Sequence, residues 1–376
     1  MKILYDHQIF TLQNYGGISR YFAELINCFG ATEAAECKVS LVSSNNRYLL
    51  DYGLFRPSYL ARKMGHIHNK RIQYSINKAN SRIALSRGQY DIFHPTYYDV
   101  YFLRHIKNKP YVLTIYDMIH ELYPELFHEK DKTAEYKRIL ANNAAKIISI
   151  SENTKKDILK FYDIDSEKIE VIYLGCSVNR CSEIKVPHGI DRVSEFRLKL
   201  PERYILFVGN RYTYKNFFAF VDSVASILKS DNTLFLVCAG SGDFSPSEFD
   251  YFQRLAIRHK VIHTPADDFL LSHLYQKAIL FVFPSQYEGF GLPILESFSC
   301  GCPVALSESS SFPEIAKDAA VYFDPTSKSS MEESISRVIY NEGLRDILIR
   351  RGYNVVRNFS WEKTSRKTLN LYENII

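Results

Sequence analysis

The residues best suited to chemistry crowd into one segment, Phe283-Pro-Ser-Gln-Tyr-Glu-Gly-Phe-Gly-Leu-Pro-Ile-Leu-Glu296. It follows a short apolar run and opens a helical pattern. Pro293 suits the first helical position, and Gly301 can end the helix before Pro303 starts the next strand. Gly289 and Gly291 let the backbone approach a ligand closely and adopt positive φ. The helix start offers unpaired N–H groups and a positive dipole end, a natural seat for a diphosphate. Glu288 and Glu296 flank that seat, and each carboxylate can accept two hydroxyl hydrogen bonds. The segment, with Phe290 and Leu292 at its turn, therefore suits a ligand with polyols on both sides of a phosphate. A nucleotide sugar is such a ligand. A glycine-rich turn with a dipole-stabilising Glu296 would leave Glu288 and both glycines unexplained.

Two further patterns support an anionic ligand. Arg211 and Lys215 follow the apolar run Tyr204–Val208, where cations can neutralise charge growing on a leaving diphosphate. Gly16-Gly17 precedes Ile18, Tyr21, Phe22, Leu25, Ile26 and Phe29, whose spacing predicts an amphipathic helix with an anion-accepting start. No G-x-G-x-x-G occurs, which counts against a dinucleotide-dependent dehydrogenase. Asp163-Ile-Asp165 reads as a polar turn, and Cys300-Gly-Cys302 has too few companions for a metal site.

The elements that must position these residues are short, often β-branched apolar runs with helical-period stretches between them. Candidate strands are Ile3–Tyr5, Val39–Val42, Ile92–His94, Val112–Tyr116, Ile147–Ile150 and Val171–Tyr173. After an irregular stretch from Cys176 to Pro201 come Ile205–Val208, Leu234–Cys238, Val261–His263, Leu280–Phe283, Val304–Leu306 and Val321–Phe323. Such alternation predicts parallel sheets of βαβ units, hence an α/β protein of two Rossmann-like domains facing across a cleft. The expected boundaries are residues 1–178 and 200–358, with a helix in 359–376 that packs back on the first domain.

The 376 residues are 46% hydrophobic and 24% charged, with a net charge of +5, and resemble neither a disordered nor a fibrous chain. No apolar run reaches the roughly 18 residues of a membrane span, and the first residues lack a signal-peptide core. Seven cysteines without a CxxC pair argue for reduced thiols and a cytoplasmic setting. Between Tyr52 and Tyr90 there is no Asp or Glu, but there are eight basic residues: Arg56, Arg62, Lys63, Lys70, Arg71, Lys78, Arg82 and Arg87. Interleaved apolar residues permit amphipathic helices that touch an anionic membrane surface, the alternative being a solvated basic face. Nucleic acid is disfavoured: there is no finger spacing and no aromatic RNA-binding motif.

The Glu288–Glu296 segment has the E-x7-E pattern of retaining GT-B glycosyltransferases, and the chain resembles glycosyltransferase family 4 nearly end to end. Gly16-Gly17-Ile18-Ser19-Arg20 is similar to the family's glycine-rich loop, and Val208-Gly-Asn-Arg-Tyr-Thr-Tyr-Lys-Asn216 to its strand and phosphate clamp. The resemblance implies Glu288 on the sugar hydroxyls, Glu296 on the ribose, and transfer of a hexosyl group without a metal or other cofactor. By the same resemblance the donor is GDP-mannose, with UDP- and dTDP-sugars as the alternatives, and the acceptor is a lipid-linked bacterial surface glycan met at the inner membrane face. Many members carry His-Asp after the fourth strand. Here Tyr116 stands in the histidine's place and Asp117 is retained, which makes Asp117 a catalytic candidate near the acceptor, with Glu288, Arg211 and Lys215 on the donor side, and leaves His120, Tyr116 and His94 as acceptor-side candidates. A nucleotide-sugar epimerase and a non-catalytic sugar-nucleotide sensor are the competing readings.

Overall fold

Every one of those apolar runs contributes to a strand in the structure, a computed structural model that describes residues 1–56, 69–176, 200–211, 213–265 and 267–376. The chain divides into two compact units, Met1–Gly175 with Trp361–Ile376, and Cys176–Ser360.

In the first unit β1 (Lys2–Tyr5), β2 (Glu36–Val39) and β3 (Ile92–His94) form a parallel sheet of order β2-β1-β3. β4 (Val112–Ile115), β5 (Lys146–Ser149) and β6 (Ile169–Val171) form a second, of order β4-β5-β6. A parallel bridge between Phe93 and Tyr111 joins the two. β2 lies earlier than its apolar run suggested. It is an edge strand with alternating exposure, so Glu36 and Lys38 belong to it while Leu41 and Val42 lie beyond its end. Helix Gly17–Thr32 buries Tyr21, Phe22, Leu25, Ile26 and Phe29, the stripe its spacing dictates. Helix Trp361–Glu373 packs against it, with Tyr372 reaching Tyr5 and His94.

The second unit holds one parallel sheet of order β12-β11-β10-β7-β8-β9, built from β7 (Arg203–Val208), β8 (Leu234–Ala239), β9 (Val261–Thr264), β10 (Leu280–Phe283), β11 (Val304–Ser307) and β12 (Ala320–Phe323). Its four inner strands, β11, β10, β7 and β8, are buried on both faces, as unbroken apolar runs require. Helices Phe217–Ser230 and Lys328–Ile339 contribute Phe217, Phe220, Val224, Met331 and Ile335 to its core. The strand order reverses between β7 and β10, which leaves a crevice beyond their carboxyl ends. Both units are thus Rossmann-like.

Among the described residues no helix is long and apolar enough to cross a membrane. Cys28, Cys37, Cys176, Cys238 and Cys302 are free thiols, but Cys300 is disulfide-bonded, which departs from the expectation of reduced thiols throughout. Asp165 caps the turn Ser166–Lys168 by accepting the Glu167 N–H, the role of a turn residue.

Candidate active site

The crevice between β7 and β10 is built from the loops that leave those strands. The Gln286 N–H donates to the Tyr214 carbonyl at 2.8 Å and ties the two loops together. Asn216, in the left-handed conformation at φ 57°, turns the first loop into helix Phe217–Ser230, and its side chain donates to the Pro325 carbonyl at 2.7 Å. Lys215, one residue earlier, is thereby held over Phe283 and Tyr214, its ammonium 5.4 and 5.2 Å from the ring centres. There it forms an ion pair with Glu288. Lys215 of the sequence-predicted clamp and the first glutamate of the E-x7-E segment thus meet directly.

Helix Leu292–Ser299 starts at this crevice, with Gly291 as its N-cap at φ 103° and Pro293 as its second residue. A Cβ at Gly291 would lie 2.8 Å from Ile294 Cδ1 and 3.2 Å from Phe312 Cε1, so glycine is required by both torsion and space. Gly289, expected to share that conformation, is not among the positive-φ glycines. Phe290 and Leu292 flank the cap, Phe290 packing edge-on to Phe359. Glu296 lies one turn further on and borders Asp268, Ser272 and Tyr275 of helix Asp268–Lys277.

Arg211 is directed elsewhere. Its guanidinium pairs with Glu248 and donates to the carbonyls of Gly242 (2.9 Å) and Asp243 (3.1 Å), over the Phe244 ring. Burial would raise the Glu248 carboxyl, but hydrogen bonds from Arg211 and Ser245 outweigh it and hold it below its ordinary value. Glu248 also completes the capping box of helix Pro246–Arg254. Arg211 Nη1 is buried and has no hydrogen-bond partner among the described residues.

The first unit places its candidates differently. The N-terminus of helix Gly17–Thr32 is not an open anion seat: Gln13 lies against Gly16, and its Oε1 accepts the Ser19 N–H at 3.1 Å. Gly16 itself is extended, at φ 162°. His94 is a core residue, with Nδ1 on Tyr372 Oη (2.5 Å) and Nε2 on Thr114 Oγ1 (2.9 Å), and burial pushes its pKa down to about 3. It offers nothing to an acceptor. Tyr116 is buried too, its hydroxyl without a hydrogen-bond partner among the described residues. Asp117 is 36% exposed, its Oδ1 accepting the Ile119 N–H at 3.1 Å. His120 stacks on Phe127 at 3.8 Å and lies 3.9 Å from Asp131. Burial, then Lys137, lowers its pKa. Phe127, His128, Glu129 and Asp131 join His120 around a cavity of about 800 Å³. Lys137, wholly buried, donates to the Asp117 carbonyl and to Glu121, both at 2.9 Å, and so fixes the loop that carries Asp117.

Of the basic stretch, Arg62 and Lys63 lie outside the described residues. Lys78 turns inward to Asp99 at 2.6 Å and leaves the basic face. Lys70, Arg71, Arg82 and Arg87 are exposed on helix Lys70–Arg87, with Ile72 and Ile83 exposed between them at 52% and 54%.

Sequence reasoning missed Lys137, Glu248 and the serines Ser307 to Ser311. Each works by touching a residue distant in the chain, so no local spacing announces it. Among the described residues no three His, Cys, Asp or Glu side chains are grouped as metal ligands are.

Known proteins show the same architecture. Residues 15–180 match Glycosyltransferase Family 4, and residues 192–355 match Glycosyl transferases group 1. An O-antigen chain mannosyltransferase B of Escherichia coli is 27% identical over 270 residues, covering 70% of each chain. An uncharacterized glycosyltransferase of Methanocaldococcus jannaschii is 27% identical over 302 residues, covering 77% of this chain and 76% of that one. The crystal structure of Anabaena HepE in complex with UDP and glucose superposes over all of both chains with a TM-score of 0.75 at 16% identity, a likeness of fold.

Proposed function

We propose that this chain, a GT-B glycosyltransferase that belongs to family 4 over residues 15–180 and to group 1 over residues 192–355, transfers a hexosyl group from a nucleotide-diphosphate sugar to a glycan. The observation that carries the proposal is the meeting of Lys215 and Glu288 at the strand-order reversal of the second unit, beside the start of helix Leu292–Ser299. A diphosphate there gains Lys215 and the helix N–H groups, and releases Glu288 to accept sugar hydroxyls. Glu296 then serves the ribose. Arg211 follows the same strand as Lys215 and adds positive charge as the diphosphate departs.

The sugar is mannose, in keeping with the mannosyltransferase relative, and the acceptor is a lipid-linked surface polysaccharide. Transfer retains the anomeric configuration. The acceptor hydroxyl attacks C1 from the face that the diphosphate leaves, the C1–O bond to phosphate breaks, and the proton passes to the departing phosphate oxygen. No metal takes part. Asp117 and His120 belong to acceptor recognition in the first unit. The exposed Lys70, Arg71, Arg82 and Arg87, with Ile72 and Ile83, hold the enzyme to the anionic inner membrane face.

A thermal-shift panel of nucleotide sugars, followed by product analysis with lipid-linked acceptors, tests the proposal. Stabilisation by one donor and acceptor-dependent release of its diphosphate are expected. Turnover without any acceptor would make the protein an epimerase instead, and binding without turnover a sensor.

A further inference from the structure

A run of serines leaves β11, Ser307-Glu308-Ser309-Ser310-Ser311, and the function proposed above makes no use of it. Its side chains hold the neighbouring loop that carries Glu288. Ser307 Oγ donates to the Ser285 carbonyl, and Ser309 Oγ lies 3.4 Å from the same oxygen. Ser310 Oγ accepts the Glu288 N–H at 3.1 Å. The buried Ser311 Oγ lies 3.0 Å from the Glu288 carbonyl and 2.9 Å from that of Phe290. Both sides of Glu288 on the main chain are thus gripped by side chains from another strand's loop, while its carboxylate is gripped by Lys215.

Ser310 is also left-handed, at φ 50°. A glycine would adopt that conformation without strain, but it could not accept the Glu288 N–H. Non-glycine residues persist in such conformations where the surroundings over-determine them, often beside functional groups. The hydroxyl is what distinguishes the residue present from the one the backbone would favour.

We propose that Ser310 and Ser311 are positioning residues that fix the direction in which Glu288 presents its carboxylate to the sugar of the donor. The inference rests on the reading of Glu288 as the sugar-binding carboxylate. A carboxylate at the end of a flexible side chain recognises hydroxyls only while its main-chain anchor is fixed, and small misplacements at a reacting centre are heavily penalised. Neither serine touches the diphosphate in this scheme.

Ser310→Gly separates positioning from mere stability, because it relieves the left-handed strain while it deletes the hydroxyl. The variant is expected to melt at or above the wild-type temperature. It should bind the free nucleoside diphosphates UDP and GDP as wild type does, and lose the extra affinity conferred by the sugar. Its kcat/KM for transfer should fall roughly tenfold. Ser310→Ala keeps the strain and lacks the hydroxyl, so it should lose the same activity at a lower melting temperature. A Ser310→Gly enzyme with wild-type kcat/KM, or with equal losses for the diphosphate and its sugar ester, overturns the proposal. Glu288→Gln is measured alongside. If it transfers normally, the reading of Glu288 has failed; if it is inactive while Ser310→Gly is normal, only the serine proposal has failed.

Discussion

Replacing Gly291 by alanine strikes the proposed donor site at its most constrained backbone position. At φ 103° an L side chain is strained, and the new Cβ would meet Ile294 Cδ1 at 2.8 Å and Phe312 Cε1 at 3.2 Å. Ile294 can shift its flexible end, but Phe312 is wholly buried and has nowhere to go. The left-handed penalty of about 1–2 kcal/mol and an off-rotamer adjustment of about 1 kcal/mol together give roughly 2–3 kcal/mol. In a unit the size of Cys176–Ser360 each kcal/mol lowers the melting temperature by about 2–4 °C, so a drop of roughly 4–12 °C is expected. Because the strain falls on the N-cap of helix Leu292–Ser299, affinity for the nucleoside diphosphate should fall as well. Scanning fluorimetry with and without UDP or GDP measures both effects. A variant that melts within 2 °C of wild type, a margin set well below the roughly 4 °C minimum shift estimated above, and binds the diphosphate equally well would refute the reasoning.

Two other perturbations probe the first unit. Lys137→Met leaves the Glu121 carboxylate, only 4% exposed, without its cation, and should cost about 3–5 kcal/mol in urea unfolding. A loss below about 1 kcal/mol would show that the Glu121–Tyr162 contact suffices. The depressed pKa of His94 makes stability fall with acidification: the unfolded histidine takes up a proton from its ordinary value of 6.5 downward, whereas the folded one does so only near 3. Between those values His94 contributes a slope of up to about 1.4 kcal/mol per pH unit, and His94→Gln should reduce the measured slope by that amount. An unchanged slope would mean that other groups carry it.

The strands and the E-x7-E loop were legible because both are local. A short unbroken apolar run such as Tyr204–Val208 suits a strand buried on both faces, and Gly291 followed by Pro293 marks a helix start. The edge strand β2 was misplaced because its alternating, half-exposed residues carry no apolar run. The Lys215–Glu288 pair could be guessed once both loops were assigned to a ligand, yet their adjacency depends on β7 lying beside β10. Arg211 looked like a free clamp, since no spacing reveals that Glu248 faces it. His94 misled in the same direction. A histidine at a strand end reads as functional, and only the packing of helix Trp361–Glu373 and of β4 against it shows both its nitrogens satisfied in the core.

The central claim is that the crevice beyond β7 and β10 holds the donor's diphosphate. A crystal structure with the nucleoside diphosphate selected by thermal shift tests it most directly. The account predicts phosphate oxygens within hydrogen-bond reach of Lys215 Nζ and of the first N–H groups of helix Leu292–Ser299, with Glu288 released from Lys215. A diphosphate bound elsewhere, or one that leaves the Lys215–Glu288 pair closed, would contradict it.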